Sequence, residues 1–325
     1  MKKDLTFAVI GRNFVADWLI EASRAVNGIR LRGVYSRKEE TGRAFADKHG
    51  ADRVYTSLDA LCRDPDIDFV YVASPNVCHE EQSVKLLSFG KHVLCEKPAA
   101  ASVESLNRIL SAAERSGTVF MEAMVPAHTP ALHAIRELIP KIGPVRRAAF
   151  TFCQYSSRYD AFKNGVLENA FVPELHNGAL MDIGVYCVHM AVMLFGVPQS
   201  VSGETLFLPK SIDGEGTLLL KYPDMLAELI YSKITDSVLP SQIQGERGSI
   251  LIDSVSRPKK LTLALRGGER VEVDASPALP DMAYELIDFA AQIRGEKMPR
   301  FNQWTAGAVS IIDTARNKLG IKFNI

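Results

Sequence analysis

Val93-Leu94-Cys95-Glu96-Lys97-Pro98 puts a carboxylate, an ammonium and a rigid turn directly after an apolar run. The run reads as a buried strand, and Ala99, Ala100, Ala101 and Ser102 as a loop entering a helix. Ligands of an open α/β sheet bind outside the carboxyl ends of its strands, so a lysine there is placed for chemistry rather than packing. The plain alternative is a surface lysine before an ordinary turn proline. A second group lies far downstream. Asp182, Tyr186 and His189 are spaced i, i+4 and i+7, so a helix beginning at Asp182 carries all three on one face. A carboxylate and a phenol on one face beside Lys97 make a proton-transfer site. A capping Asp, a packed Tyr and a surface His is the plainer alternative. His176, Asp182 and His189 are metal-ligand types, but their spacing is not diagnostic and no metal is expected.

The elements that would position Lys97 alternate strand and helix. Residues 5–10 form an apolar run broken only by Thr6, as in a fully buried parallel strand. Gly11 follows, then Phe14, Val15, Trp18, Leu19, Ala22, Ala25 and Val26 at helical spacing. Strands are read again at 31–35, 67–73, 93–96 and 119–121, with helices at 39–49, 78–89 and 102–116. This is a right-handed βαβ series and implies a doubly wound parallel sheet.

Gly11-Arg12-Asn13-Phe14-Val15-Ala16 fits the dinucleotide fingerprint G-x-G-x-x-G/A at its first and third positions and carries Asn13 at the second. Asn tolerates left-handed backbone, so the turn survives. The helix N-terminus behind it offers N–H groups and a favourable dipole to a pyrophosphate. The second strand ends Tyr35-Ser36-Arg37-Lys38, without the carboxylate that binds the ribose of NAD. A hydroxyl, a guanidinium and an ammonium suit a 2′-phosphate, so NADP(H) is expected, with NAD(H) second. Arg37 stacked on adenine or turned to solvent is the alternative. The loop Ser74-Pro75-Asn76 and His79 should border the nicotinamide half. His79 is either a contact or a helix-start residue packed inward.

At 325 residues the chain is expected to form two domains. Lys+Arg and Asp+Glu both number 38, so neither nucleic acid nor an anionic membrane surface is an expected partner. No run reads as a signal-peptide core or a membrane span. The 5 cysteines form no Cys-x-x-Cys pair, which suggests reduced thiols in a cytoplasmic protein.

Taken together, these residues resemble the glucose–fructose oxidoreductase/inositol dehydrogenase/rhizopine catabolism family, Gfo/Idh/MocA. The resemblance rests on the Gly11–Ala16 turn, the Ser74–His79 loop and above all Glu96-Lys97-Pro98. It continues in Gly178-Ala179-Leu180-Met181-Asp182-Ile183-Gly184-Val185-Tyr186, which is similar to the family's G-x-L-x-D-x-G-x-[HY] segment. Ile243 to Ile250 looks like a recurring hairpin, and Tyr284 to Phe289 like a late helix. The flavour is nearest the dimeric dihydrodiol dehydrogenase-like and sugar-reductase branches. The resemblance implies an NAD(P)-dependent oxidoreductase, moving a hydride between nicotinamide and a carbonyl or secondary alcohol. The substrate it implies is a sugar, polyol or dihydrodiol-like small molecule. Lys97 would stabilise the developing alkoxide, and Tyr186 would exchange the proton with a pKa lowered by that ammonium. Asp182 would orient substrate hydroxyls and Lys97. Glu96 would hold the nicotinamide ribose, Tyr284 would lie near the nicotinamide, and the Lys97–Pro98 bond is often cis in relatives. The competing reading is a non-enzymatic NAD(P)-binding sensor of the same superfamily. The missing second glycine favours the sensor, and the intact Lys97, Asp182 and Tyr186 set favours the enzyme.

The expected architecture is an α/β Rossmann domain over 1–123, then an α+β substrate-binding and oligomerisation domain over 124–325. The second domain should hold a large, mostly antiparallel open sheet. Its strands are read at 145–155, 216–222, 226–235, 250–252 and 261–265, and its helices at 129–139, 282–293 and 305–318. In the family the exposed face of that sheet often joins subunits, which implies a homodimer or homotetramer. The stretch Met124-Val125-Pro126-Ala127-His128-Thr129-Pro130 departs from the dihydrodiol branch. Ala127 stands where that branch has Arg, and His128 replaces an aromatic. This stretch should line the substrate pocket, so the substrate does not carry over.

Overall fold

The computed structural model describes residues 4–299 and 301–323. They divide into two compact units, one of residues up to 125 plus 279–302, the other of 126–278 plus residues from 303 onward. The first unit holds β1 (Leu5–Ile10), β2 (Ile29–Tyr35), β3 (Arg53–Tyr55), β4 (Phe69–Val72), β5 (His92–Glu96) and β6 (Phe120–Ala123). All pair in parallel, in the order β3-β2-β1-β4-β5-β6, which is the Rossmann order. The helices are α1 (Phe14–Ser23), α2 (Glu39–His49), α3 (Leu58–Arg63), α4 (His79–Ser88) and α5 (Val103–Ser116). Every residue of β4 is buried, as a strand covered on both faces must be.

The late helix Asp281–Ile293 belongs to this first unit, which corrects the division at 123/124. The reason is packing. Its face of Met282, Leu286, Phe289 and Ala290 is buried, and Phe289 meets Phe69 edge-on at 5.3 Å. Phe69 in turn stacks on Phe7 at 5.1 Å.

The second unit carries α6 (Pro130–Leu138), α7 (Tyr159–Lys163) and α8 (Val185–Phe195) around an eight-stranded sheet. Its strands are β7 (Val145–Cys153), β8 (Ser200–Phe207), β9 (Asp213–Lys221), β10 (Leu226–Ser232), β11 (Ser241–Gly245), β12 (Gly248–Ile252), β13 (Lys260–Leu265) and β14 (Arg270–Asp274). The order is β14-β13-β12-β11-β7-β10-β9-β8, antiparallel apart from β7 and β10. Ala148, Phe150, Leu218, Leu220, Ala227, Leu229 and Tyr231 are buried on one parity. Leu206, Leu219, Leu226 and Ile230 stay exposed on the other. Strands β8 and β14 escape a sequence reading because few of their residues are buried, so no apolar alternation marks them.

Pro173–Phe195 is long and apolar enough to cross a membrane by composition, contrary to the expectation that no run is. Within this fold 78% of its most apolar window is buried, so its apolarity serves the core.

Candidate active site

Strands β1 and β4 are neighbours whose chains continue to opposite sides of the sheet, and such a switch point opens a ligand crevice. Gly11 sits there with φ 111°, and a Cβ on it would lie 2.3 Å from the Ala73 carbonyl oxygen. Only glycine lets the two loops meet this closely. Asn13 is not left-handed, as the sequence suggested; its φ is −91° and its ψ 174°. It is the N-cap of α1. Its Oδ1 accepts from the Ala16 N–H at 3.0 Å, and its Nδ2 donates to Ala73 O at 3.1 Å. The residue at the second glycine position therefore ties the β1 turn to the β4 turn. Phe14 is exposed, Val15 half-buried and Ala16 buried at the start of α1.

Ser36 is 4% exposed and donates to Lys38 O at 2.9 Å, so it shapes the turn after β2. Arg37 and Lys38 are exposed beside it, and Arg12 reaches Thr41 O at 3.5 Å. Glu39 and Glu40 open α2 just beyond the strand end, and Glu39 pairs with Arg43 at 3.4 Å.

Lys97 is the only residue of 93–100 that is not buried. The Lys97–Pro98 bond is cis. Two side chains clamp the turn. Ala99 N donates to Glu122 Oε1 at 2.8 Å, and His79 Nδ1 lies 2.9 Å from Pro98 O. His79 Nε2 lies 2.9 Å from Ser74 O, so the ring joins the Ser74 loop to the Lys97 turn. Burial holds His79 below its ordinary pKa, and the neutral ring can donate to only one of these carbonyls. His79 thus takes the inward-packed alternative. Ser74 Oγ donates to Gln82 Oε1 at 2.7 Å, and Pro75 precedes the short turn Asn76–Cys78. Glu96 does not face outward as a ribose ligand would. It is 9% exposed, accepts from the buried Tyr71 hydroxyl, and burial pushes its carboxyl up. Tyr284 Oη, on the late helix, accepts from Leu279 N at 3.3 Å.

In the second unit one π-helical turn, Leu180–Gly184, runs into α8, so the helix starts before Asp182 rather than at it. From Gly178 to Met193 every residue is buried except Asp182 and Tyr186. His189, expected on the same face, is 2% exposed. The motif glycines have steric causes. A Cβ on Gly178 (φ 139°) would lie 1.9 Å from Asp213 Oδ1, and one on Gly184 would lie 3.0 Å from the Tyr231 ring. Asp213 Oδ2 accepts from Leu180 N at 2.7 Å, anchoring the π turn. Burial pushes the Asp213 carboxyl up to about 6. The Tyr186 ring leans on Phe152 at 5.6 Å.

Lys233 escaped the sequence reading. Its Nζ donates to Asp182 Oδ2 at 2.6 Å and to Ala170 O at 3.0 Å. A signal existed: Ala227, Leu229 and Tyr231 mark the buried parity, and Lys233 continues it. The stretch after β6 makes a short turn, Val125–Ala127, with His128 buried. His176 adopts φ 58° and stacks on Phe323 at 4.3 Å. Among the described residues no three His, Cys, Asp or Glu side chains come together as a metal site.

Residues 5–124 match the model of the oxidoreductase family with an NAD-binding Rossmann fold, and 132–251 the GFO/IDH/MocA C-terminal domain. Scyllo-inositol 2-dehydrogenase (NADP(+)) of Bacillus subtilis (strain 168) is 40% identical over 322 residues, covering 98% of each chain. Trans-1,2-dihydrobenzene-1,2-diol dehydrogenase of Xenopus tropicalis is 31% identical, covering 68% of this chain and 66% of that one. The fold is that of a 3-ketoreductase from Actinomadura kijaniata solved with NADP and TDP-benzene. The TM-score is 0.87 at 21% identity, with 98% of each chain covered. With both family models matched and a relative at 40% identity along nearly its whole length, the chain belongs to the Gfo/Idh/MocA family and is an NAD(P)-dependent oxidoreductase.

Proposed function

We propose that the protein interconverts a ring secondary alcohol of a cyclic polyol of the inositol class and its ketone, using NADP(H). One observation carries the chemistry: Lys97, Asp182 and Tyr186 are the residues that two otherwise buried stretches leave accessible. The likeness to a scyllo-inositol 2-dehydrogenase supports the substrate class. The glycine turn at Gly11 and the N-terminus of α1 suit a pyrophosphate, and Arg12, Arg37 and Lys38 suit a 2′-phosphate.

The bound nicotinamide supplies or takes the hydride. In the reducing direction Tyr186 Oη donates the proton to the ketone oxygen, and the Lys97 ammonium stabilises the negative charge that builds there. Asp182 accepts hydrogen bonds from ring hydroxyls and fixes which carbon reacts. Oxidation runs the same proton transfer backwards. Ser74, Pro75, Asn76 and Tyr284 border the nicotinamide in this reading.

The open face of the second unit's sheet, with Leu206, Leu219, Leu226 and Ile230, joins subunits into a homodimer or homotetramer. The test of the reaction is initial-rate kinetics with NADP+ and NAD+ on scyllo-inositol, myo-inositol and a trans-dihydrodiol. Turnover of an inositol with higher kcat/KM for NADP+ is expected. Absence of polyol turnover, or equal use of the two cofactors, overturns the reading.

A further inference from the structure

Lys233 is 3% exposed, yet it carries an ammonium. A buried charge is tolerated only when its partners replace water well. Here they do. Nζ donates to Asp182 Oδ2 at 2.6 Å and to Ala170 O at 3.0 Å, and lies 4.9 Å from the centre of the Phe171 ring. Ala170 and Phe171 pack with Ile212 in a small core cluster that Tyr159, Phe162 and Leu208 adjoin. The backbone of Lys233 is fixed as well, since its N–H donates to Gly214 O at 2.9 Å. Gly214 follows Asp213, whose carboxylate anchors the Leu180 N–H. One end of the β9–β10 hairpin therefore grips the π turn twice, by its backbone through Asp213 and by the Asp182 carboxylate through Lys233.

We propose that Lys233 is a positioning residue that sets the direction of the Asp182 carboxylate and so decides which ring hydroxyl the enzyme selects. This rests on the reading of Asp182 as the group that receives substrate hydroxyls. A lysine serving only to fill the core would not need a carboxylate that stays 34% exposed as its partner.

The test uses the full-length chain and four variants: Lys233→Met, Lys233→Arg, Asp182→Asn and the double variant Asp182→Asn/Lys233→Met. Lys233→Met is expected to lower kcat on scyllo-inositol about tenfold, to narrow the preference between scyllo- and myo-inositol, and to leave KM for NADP+ within about twofold. Lys233→Arg should recover part of kcat because it keeps the charge. The double variant should be no slower than Asp182→Asn, because Lys233 acts through that carboxylate. Unchanged kcat and preference in Lys233→Met, or an equal further loss in the Asp182→Asn background, overturns the proposal. If the wild type turns over neither inositol, the substrate reading fails and the crystal structure of Lys233→Met decides the positioning claim. An Asp182 side chain in a new rotamer on an unmoved 179–185 backbone supports it; an unmoved carboxylate overturns it. If Lys233→Met does not fold, the neutral, shorter Lys233→Gln takes its place in both measurements, and an unmoved carboxylate with unchanged preference overturns the claim.

Discussion

Lys97, Asp182 and Tyr186, the proposed catalytic set, stand out in the sequence as residue types suited to proton and charge transfer in a recognisable order. Accessibility then separates them from their neighbours, which are buried. Lys97→Met should cut kcat by about 10²- to 10³-fold while NADPH affinity, read by fluorescence titration, stays within about threefold. Unchanged turnover would remove Lys97 from the chemistry. Tyr186→Phe should cost about 10²- to 10⁴-fold in kcat. Arg37→Ala should raise KM for NADP+ about tenfold, roughly 1.4 kcal/mol, and leave KM for NAD+ alone. An equal effect on both cofactors would favour Arg37 stacked on adenine. What stayed hidden at this scale were the residues that act on other residues. Glu122 and Lys233 look like ordinary surface charges until the fold buries them at 2% and 3% exposure. Glu96 and His79 stand out in the sequence but are buried, Glu96 accepting from the Tyr71 hydroxyl and His79 lying against the Pro98 carbonyl oxygen.

Apart from the short β3, which is not an apolar run, the alternating strands and helices of the first unit were readable from periodicity, since a sheet covered on both faces writes continuous apolar runs. The π turn was not readable, because i, i+4 spacing is satisfied by either helix type. Its anchor makes a pH prediction. In the folded chain Asp213 is pushed up to about 6 from 3.8, so the fold favours the neutral acid. The stability this group contributes is complete below its unfolded pKa and is lost as pH rises through about 6. The full loss is about 3 kcal/mol. Asp213→Asn keeps an acceptor for Leu180 N–H and has no charge to bury. Its melting temperature should therefore gain on the wild type between pH 5 and pH 8, followed by differential scanning fluorimetry; a gap that stays constant with pH counts against the assignment. Asn13→Ala removes the cap of α1 and its tie to Ala73, at a cost of about 1 kcal/mol. The expected fall in melting temperature is about 2–4 °C.

At the scale of the molecule, two units were foreseen but not the return of the chain to the first. The 3.6-residue pattern of the late helix shows that it has a buried face without showing which core receives it; Phe289 against Phe69 supplies the answer. The open sheet face leads to an assembly prediction. Ile230→Arg places a charge among Leu206, Leu219 and Leu226, and should lower the molar mass measured by light scattering, with little change in melting temperature of the dissociated chain. An unchanged mass would locate the contact elsewhere.

The closed packing of the stretch that carries Lys97 and, within the other unit, of the stretch that carries Asp182 and Tyr186 also limits where this protein can acquire new preferences. At 93–100 and 178–193 almost every substitution strikes a filled interior before it alters the reaction. Residues 156–169 are different: none of them is buried. A mutant collection built on the first two stretches should yield mostly unfolded chains, and one built on the third mostly folded ones. The proposed reactive groups and mutational freedom are thus carried by separate lengths of the chain.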